Sequence, residues 1–439
     1  MRSDSTPIEY VLRSAEEQGV RFVRLWFVDV LGLLKSSSIP ISELEEALTE
    51  GVGLDGSSLE SGTRLFELDA IAYPDPTTFE LLPWRPDAAV ARMFCDIKLP
   101  DGTPSPGDSR EALRRQLRRV AELGYTFQVG PEIEFFLFES KLGGEPPTPL
   151  DEGSYFDQTP LDDGSDFRRA TIQYLEQMGI PIKVSHHEVG ASQHEMDLKH
   201  TDALTMADAI TTFRLTAKEV AREIGAFATF MPKPVDGLPG SGMHLHLSLI
   251  HADSGRDAFY DEDPGTLLSP VGRAFLAGVL RHARELTVMT NQWVNSYKRL
   301  LSGFEAPATI SWARHSRSAL VRVPSNRPGK ESAARIELRS PDAACNPYLA
   351  LALICAAGLR GIEGGYELQP ELDPDQLEEQ LRLPADLGEA LDAFEVSELG
   401  REVLGEQLFG WFVRNKRSEW DEYRTVVTDH ERKTFPGLL

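Results

Sequence analysis

Hydrophobic and polar positions follow two periods along the chain. Thr6-Pro7-Ile8-Glu9 supplies an N-cap, a first-turn proline and a capping-box glutamate ahead of an amphipathic stretch that stops at Gly19, which predicts a first helix. Residues 21–29 then alternate, with Val23, Leu25 and Phe27 opposite Phe22, Arg24 and Trp26, and after a turn at Gly32 a second strand-like run reaches Ile39. Ser42-Glu43-Leu44-Glu45 predicts a second capped helix, and short β-like runs follow at 70–73, 78–82 and 91–98 between proline turns.

Residues 99–108 hold three prolines and two glycines, a linker composition, and 109–123 read as a charged helix ending at Gly124. We therefore expect a small sheet domain over 1–105 and a large domain over 106–439. In the latter, β-like segments at 126–129, 132–138, 182–188, 226–231 and 243–250 interleave with helical patterns near 166–178, 202–224, 270–290, 346–361 and 397–432. The fold class is α+β. The acidic, proline-punctuated residues 367–384 read as an exposed loop.

Charge narrows the partners. The 439 residues carry 45 Lys plus Arg against 69 Asp plus Glu, a net charge of −24, which argues against binding nucleic acid or an anionic membrane surface. The longest apolar run, 348–359, falls short of the roughly 20 residues of a membrane span, and the first residues lack an apolar signal core. Cys95, Cys345 and Cys355 are widely spaced in apolar stretches, as buried thiols of a reducing compartment would be. The expected location is the cytoplasm.

Two strand patterns carry candidate chemistry. In residues 131–138, Ile133, Phe135 and Leu137 take one face, and Glu132 and Glu134 share the other. Adjacent carboxylates are either a solvated edge or a cation site. In residues 240–248, His244, His246 and Ser248 share a face opposite the leucines. Together with His186-His187-Glu188, Glu195 and Glu337, the chain offers carboxylates with little imidazole and no nearby cysteine, a donor set suited to Mg²⁺ or Mn²⁺ rather than structural zinc. Residues 295–339 add Lys298, Arg299, Arg314, Arg317, Arg322, Arg327, Lys330, Arg335 and Arg339 to an otherwise acidic chain. Forked guanidinium donors beside metal ligands suit phosphate and carboxylate groups, so the residues point to a metal-dependent, phosphoryl-handling enzyme with an anionic substrate.

Over essentially its whole length the sequence also resembles the type I glutamine synthetase family. The resemblance rests on Leu54-Asp55-Gly56-Ser57-Ser58, Pro131-Glu132-Ile133-Glu134-Phe135-Phe136, His186-His187-Glu188-Val189, Phe230-Met231-Pro232-Lys233-Pro234, Gly240-Ser241-Gly242-Met243-His244, Asn295-Ser296-Tyr297-Lys298-Arg299, Glu305-Ala306-Pro307 and Arg335-Ile336-Glu337-Leu338-Arg339, in the family's order and rough spacing. It implies a β-grasp-like N-terminal domain and a glutamine-synthetase-type catalytic domain. It implies ligation of ammonia to the γ-carboxylate of L-glutamate through γ-glutamyl phosphate, with ATP as co-substrate and two or more Mg²⁺ or Mn²⁺. The alternative within the family is a γ-glutamyl ligase for a polyamine, ethanolamine or a monoamine. A catalytically silent structural relative is the reading from another class, and it would have no need of the full ligand set.

By resemblance, Glu134, Glu188 and Glu195 would hold one metal and Glu132, His244 and Glu337 the other. Arg299 and Arg339 would grip glutamate beside Gly240, and Arg317, Arg322 and Arg335 would contact phosphates. His246 and Ser248 would lie at the nucleotide. Glu305 would close a flap over the acyl phosphate, and Asp55, given by an adjacent subunit, would deprotonate ammonium with Ser58, Tyr155 and Glu188. The implied assembly is a homo-oligomer, a dodecamer of two stacked hexameric rings with active sites between subunits. Pro239 before Gly240, Ser316 before Arg317 and a short 189–194 link depart from the family's usual pattern, and they bear on the acceptor and amine pockets.

Overall fold

Two sheets organise the chain, and the polar-apolar periods set which residues enter them. The computed structural model describes residues 6–61, 67–85, 89–139, 148–158, 164–263, 266–300, 306–325, 333–373 and 380–437. The first sheet takes the order β2-β1-β6-β4-β3, with β5 also on β6. Its strands are β1 (Phe22–Val28), β2 (Leu34–Pro40), β3 (Val52–Asp55), β4 (Asp69–Pro74), β5 (Glu80–Leu81) and β6 (Val90–Lys98), accompanied by helices α1 (Pro7–Glu17) and α2 (Leu44–Glu50). Thr6 and Glu9 form the reciprocal capping box that starts α1. Ser42 does not cap α2; residues 41–43 form a 3-10 turn, and the Ser42 hydroxyl donates to Glu43 instead. In β1, Trp26 is buried alongside Val23 and Leu25 because its ring meets Phe94 of β6 edge-on, so the alternation read from sequence holds at Phe22 and fails at Trp26.

Helix α3 (Ser109–Glu122), capped by Asp108, leads into the second sheet, ordered β13-β14-β15-β12-β7-β9-β8 with β10 and β11 also on β7. Its members are β7 (Tyr125–Phe138), β8 (Ile182–His187), β9 (Gln193–Leu198), β10 (Thr201–Asp202), β11 (Phe227–Thr229), β12 (Met243–His251), β13 (Thr309–Ala313), β14 (Ala319–Arg322) and β15 (Ile336–Leu338). Around it lie α4 (Gly164–Gln177), α5 (Ala203–Glu223), α6 (Pro270–Arg281), α7 (Ala283–Thr290), α8 (Ser296–Arg299), α9 (Pro347–Glu363), α10 (Leu387–Glu395), α11 (Glu398–Tyr423) and α12 (Asp429–Thr434). Helix α9 is buried along 14 of its 17 residues, which explains its unbroken apolar sequence as the core of a large domain rather than a span. Among the described residues, no helix is long and apolar enough to cross a membrane.

Four further sequence expectations change. Residues 126–129 and 132–138 are one strand, because Pro131 stays in the ladder opposite Leu245. The helical stretch 270–290 breaks at His282, and 397–432 bends at Gly405 (φ 75°) and ends at Tyr423 before α12. Residues 367–384 are not a free loop where described: Leu372 and Ile310 take part in backbone bonds to Trp312 and Leu381, and Glu371 pairs with Arg314, so the segment lies along β13. Residues 374–379 fall outside the described set.

The two sheets meet through buried polar contacts. Gly32 (φ +75°) lies against Asn346, where a Cβ would stand 2.7 Å from the Asn346 Cα. Asn346 Nδ2 donates to the carbonyls of Asp29 and Val30, and Gln292 Nε2 to that of Leu31. Arg110 of α3 reaches Asp75 and Asp96 on the first sheet's side and Asp208 of α5 on the other.

Candidate active site

Because β7 lies between β12 and β9, the face that carries Glu132 and Glu134 is the middle of the sheet and not a solvated edge. Register then sets the neighbours: His244 lies opposite Glu132, Glu195 opposite Glu134, His186 opposite Glu195, and Glu337 opposite both His246 and Arg322. Residues scattered over more than 200 positions become one polar floor beneath a cavity of about 450 Å³. Its walls include Tyr155, Gly240, Arg299, Arg317, Arg322 and Arg339.

Two groups on this floor bring ligand atoms within 4.8 Å of one another: Glu132, His244 and Glu337, and His186, Glu188 and Glu195. The first is the trio that the resemblance implies. In the second, His186 joins Glu188 and Glu195, with Nε2 3.2 Å from Glu195 Oε1. Glu134 stands between the groups, its Oε1 4.0 Å from His244 Nε2 and its Oε2 accepting from the Gly242 N–H at 2.8 Å. His186 shares a face with Glu188 at a spacing of two, but only the pairing of β8 with β9 brings it to Glu195.

Charge is unevenly balanced across the floor. Burial pushes the Glu132 carboxyl up, but hydrogen bonds to His244 and His246 and their charge outweigh it and hold the group well below the usual carboxylate range. Arg335 Nε lies 3.1 Å from His246 Nδ1, and the ring's Nε2 lies 2.6 Å from Glu132 Oε1. Glu337 is buried yet held low by His244, His246 and Arg339; Arg322 Nε lies 2.7 Å and Arg339 Nη1 2.5 Å from its oxygens. Glu195 behaves oppositely. Burial and the neighbouring carboxylates of Glu134, Glu132 and Glu188 drive its pKa well above the ordinary value. That concentration of hard oxygen donors, whose mutual repulsion raises Glu195, fits divalent cations of the Mg²⁺ and Mn²⁺ type.

Behind the floor, on the opposite faces of β8 and β9, Asp151, His187 and His194 form a third, fully buried group. Arg168 Nη1 lies 2.8 Å from His194 Nδ1, and burial together with Arg168 lowers the His194 pKa to about 3, so that ring is neutral. His187 lies 2.8 Å from Asp151 through Nε2 and 2.7 Å from the Glu188 carbonyl through Nδ1, which places it as a support for the Glu188 turn.

The remaining residues named from sequence fall in three positions. Arg299 is buried, and its terminal nitrogens donate to the carbonyls of Arg339, Ser340 and Pro341, so it braces the wall as well as lining it. His246, Ser248 and Arg335 stand behind or beside the cavity and do not line it. Asp55 and Ser58 are not brought to it at all: the Asp55 carboxylate accepts from Ser57 N–H and Leu68 N–H in the first domain. Glu305, like Arg327 and Lys330, lies outside the described residues.

Comparison with known proteins fits this geometry. The family model for the glutamine synthetase catalytic domain matches residues 106–435, and the model for the glutamine synthetase beta-grasp domain matches 19–100. A glutamine synthetase of Mycolicibacterium smegmatis is 52% identical over 443 aligned positions, covering 98% of this chain and 99% of the relative. One of Methanosarcina mazei is 45% identical over 445, covering 99% and 98%. Among solved structures, a GmaS/ADP complex superposes with a TM-score of 0.86 at 34% identity, covering 97% of this chain and 99% of that one. With its two sheets, its glutamate-rich floor and relatives that run its full length, the chain belongs to the type I glutamine synthetase family.

Proposed function

We propose that the cavity joins ammonia to the γ-carboxylate of L-glutamate at the expense of ATP. The observation that carries this reading is the pair of carboxylate-histidine groups side by side on one sheet face, bordered by Arg317, Arg322 and Arg339. Arg339 Nε is buried without a hydrogen-bond partner, a donor available to an anion. In the reaction, a γ-carboxylate oxygen of glutamate attacks the γ-phosphorus of ATP and ADP departs, leaving γ-glutamyl phosphate. Ammonia then attacks the acyl carbon, inorganic phosphate leaves, and the nitrogen gives up a proton to form glutamine.

In this reading His186, Glu134, Glu188 and Glu195 hold one divalent cation and Glu132, His244 and Glu337 another. Bound there, Mg²⁺ or Mn²⁺ would screen the phosphates from the floor's carboxylates and draw electron density from the transferred group. Arg322, held by Glu337, and Arg317 on the cavity wall face phosphate oxygens, with Arg335 acting through His246. Arg299 and Gly240 shape the glutamate side with Arg339, and Ser248 extends the nucleotide side of β12. Glu305 covers the intermediate against water. Asp55 and Ser58 are supplied by a neighbouring subunit to Tyr155 and Glu188, consistent with their distance from their own cavity; the ring assembly follows from that need. The division of the chain near residue 105 is supported by the change of sheet on either side of the 99–108 linker.

A second reading, ligation of a larger amine by the same acyl phosphate, is favoured by one feature. The mouth beside Glu188 is apolar, with Tyr155, Phe156, Val184 and Val189 each at least 39% exposed. The deciding experiment is phosphate release from ATP with glutamate fixed and the amine varied among ammonium, methylamine, ethanolamine, putrescine and spermidine, with Mg²⁺ and with Mn²⁺. Saturation by ammonium at the lowest concentration is the expected result. Turnover confined to a larger amine would replace ammonia as the acceptor, and no metal-dependent turnover with any of them would overturn the ligase reading.

A further inference from the structure

Gln193, the first residue of β9, is 1% exposed, and its amide sits where three segments of the site converge. Oε1 accepts from the Gly190 N–H at 3.0 Å. Nε2 donates to Glu134 Oε2 at 3.2 Å and to the Gly240 carbonyl at 3.2 Å. The orientation of the amide is thereby determined: reversing it would set an NH₂ group against an N–H and a carbonyl oxygen against a carboxylate and a carbonyl. The backbone of Gln193 adds to the junction, since its carbonyl accepts from the Glu188 N–H at 2.7 Å and its own N–H donates to the Gly190 carbonyl at 2.9 Å.

Glu134 is the residue most affected. Its Oε2 receives two donors, Gln193 Nε2 and the Gly242 N–H, while Oε1 stands 4.0 Å from His244 Nε2 between the two carboxylate-histidine groups. A glutamate in that position could rotate to offer either oxygen or both. Two fixed donors on one oxygen remove that freedom and leave a defined oxygen to the cavity. The same Nε2 fastens the 239–242 loop, the wall that carries Pro239, to the metal-binding floor. A side chain that only filled space would need neither the two acceptors nor the fixed sense of the amide.

We infer that Gln193 is a positioning residue that fixes Glu134 as a one-oxygen donor and couples the cation floor to the loop beside the acceptor substrate. The substrate half of this inference rests on the proposed ligase reading; the cation half does not. The test compares the full-length protein with Q193E and Q193M. The first keeps the shape but sets a carboxylate against Glu134 Oε2 and the Gly240 carbonyl, and the second keeps the volume and loses the hydrogen bonds.

Mn²⁺ binding is followed by electron paramagnetic resonance without substrates, and rates are measured separately against glutamate and ATP. Loss of a support to a metal ligand weakens affinity by about 10- to 100-fold, so Q193E is expected to weaken one class of Mn²⁺ sites by that factor. Half-saturation by glutamate should rise while that by ATP holds, and Q193M should show a smaller change of the same kind. Unchanged Mn²⁺ binding in both variants would overturn the inference, as would equal losses toward glutamate and ATP that track a fall in melting temperature. A wild-type protein that binds Mn²⁺ but turns over no amine would sink the ligase reading alone, and the Mn²⁺ comparison would still decide the role of Gln193.

Discussion

Glu195 is buried among Glu134, Glu132 and Glu188, and that crowding raises its pKa well above the ordinary 4.5. A raised carboxyl pKa means that the folded, metal-free protein holds a proton there that the unfolded chain would release. The stability from this group is therefore fully present below pH 4.5 and is lost as pH rises through the elevated value. A cation entering the site must displace the same proton, so Mn²⁺ affinity should climb with pH over that window, and binding should release protons. Calorimetric titration in two buffers of different ionisation enthalpy reads this directly: the apparent heat should depend on the buffer and lose part of that dependence in E195Q. A buffer-independent heat would mean that Glu195 is already ionised. Most of this chemistry was visible in the sequence, because a period of two on β7 and β12 puts Glu132, Glu134, His244 and His246 on fixed faces. The part of His186 was not, since only the register of β8 against β9 sets it beside Glu195.

At the scale of elements, legibility followed length and alternation. β12 alternates buried and half-buried residues from Met243 to Ile250 and was readable from its leucines and histidines. β9 is buried at all six positions although it contains His194, Glu195 and Asp197, so its polar sequence resembled a link. β13, β14 and β15 span only three to five residues each, with Arg314, Arg335 and Arg339 at their ends and Arg322 inside β14, and β15 pairs with β12, far back in the sequence. The junction of the sheets was also hidden in the sequence, where Arg110 looked like one basic residue of a charged helix. In the fold it is 4% exposed and binds Asp75, Asp96 and Asp208 together. Removing one member of a buried ion cluster strands the others, which costs about 3–5 kcal/mol. R110M should therefore lower the apparent unfolding free energy by about that much in urea titrations. A change within the error of the titration would show that water or a neighbouring arginine, such as Arg114 beside Asp75 and Asp96, takes over the role.

For the whole molecule, the separation of Asp55 from its own cavity matters most. No reading of one chain's alternation could place it, because in the proposed function it serves a second copy. If Asp55 acts in trans, two defective proteins restore each other: mixed rings of D55N and E337Q subunits contain some sites with both groups intact. Dissociating and reassembling equal amounts of the two variants should recover about a quarter of wild-type activity if subunits mix at random, since a site then needs a wild-type partner residue and a wild-type floor, each at half frequency. The pure variants should stay inactive. Failure to recover activity in rings shown by mass to be mixed would place Asp55 outside the shared site.

The Arg110 cluster has a further consequence in the time order of synthesis. A ribosome releases Asp75 and Asp96 first, then Arg110, and Asp208 only about a hundred residues later. The nascent first sheet thus gains its counter-charge almost at once from the start of α3, whereas the guanidinium waits for α5 before its last carboxylate arrives. A fragment stopped at the linker would leave Asp75 and Asp96 without either guanidinium of α3. The boundary between the domains is a convenient place to divide the fold, and a poor place to cut the chain.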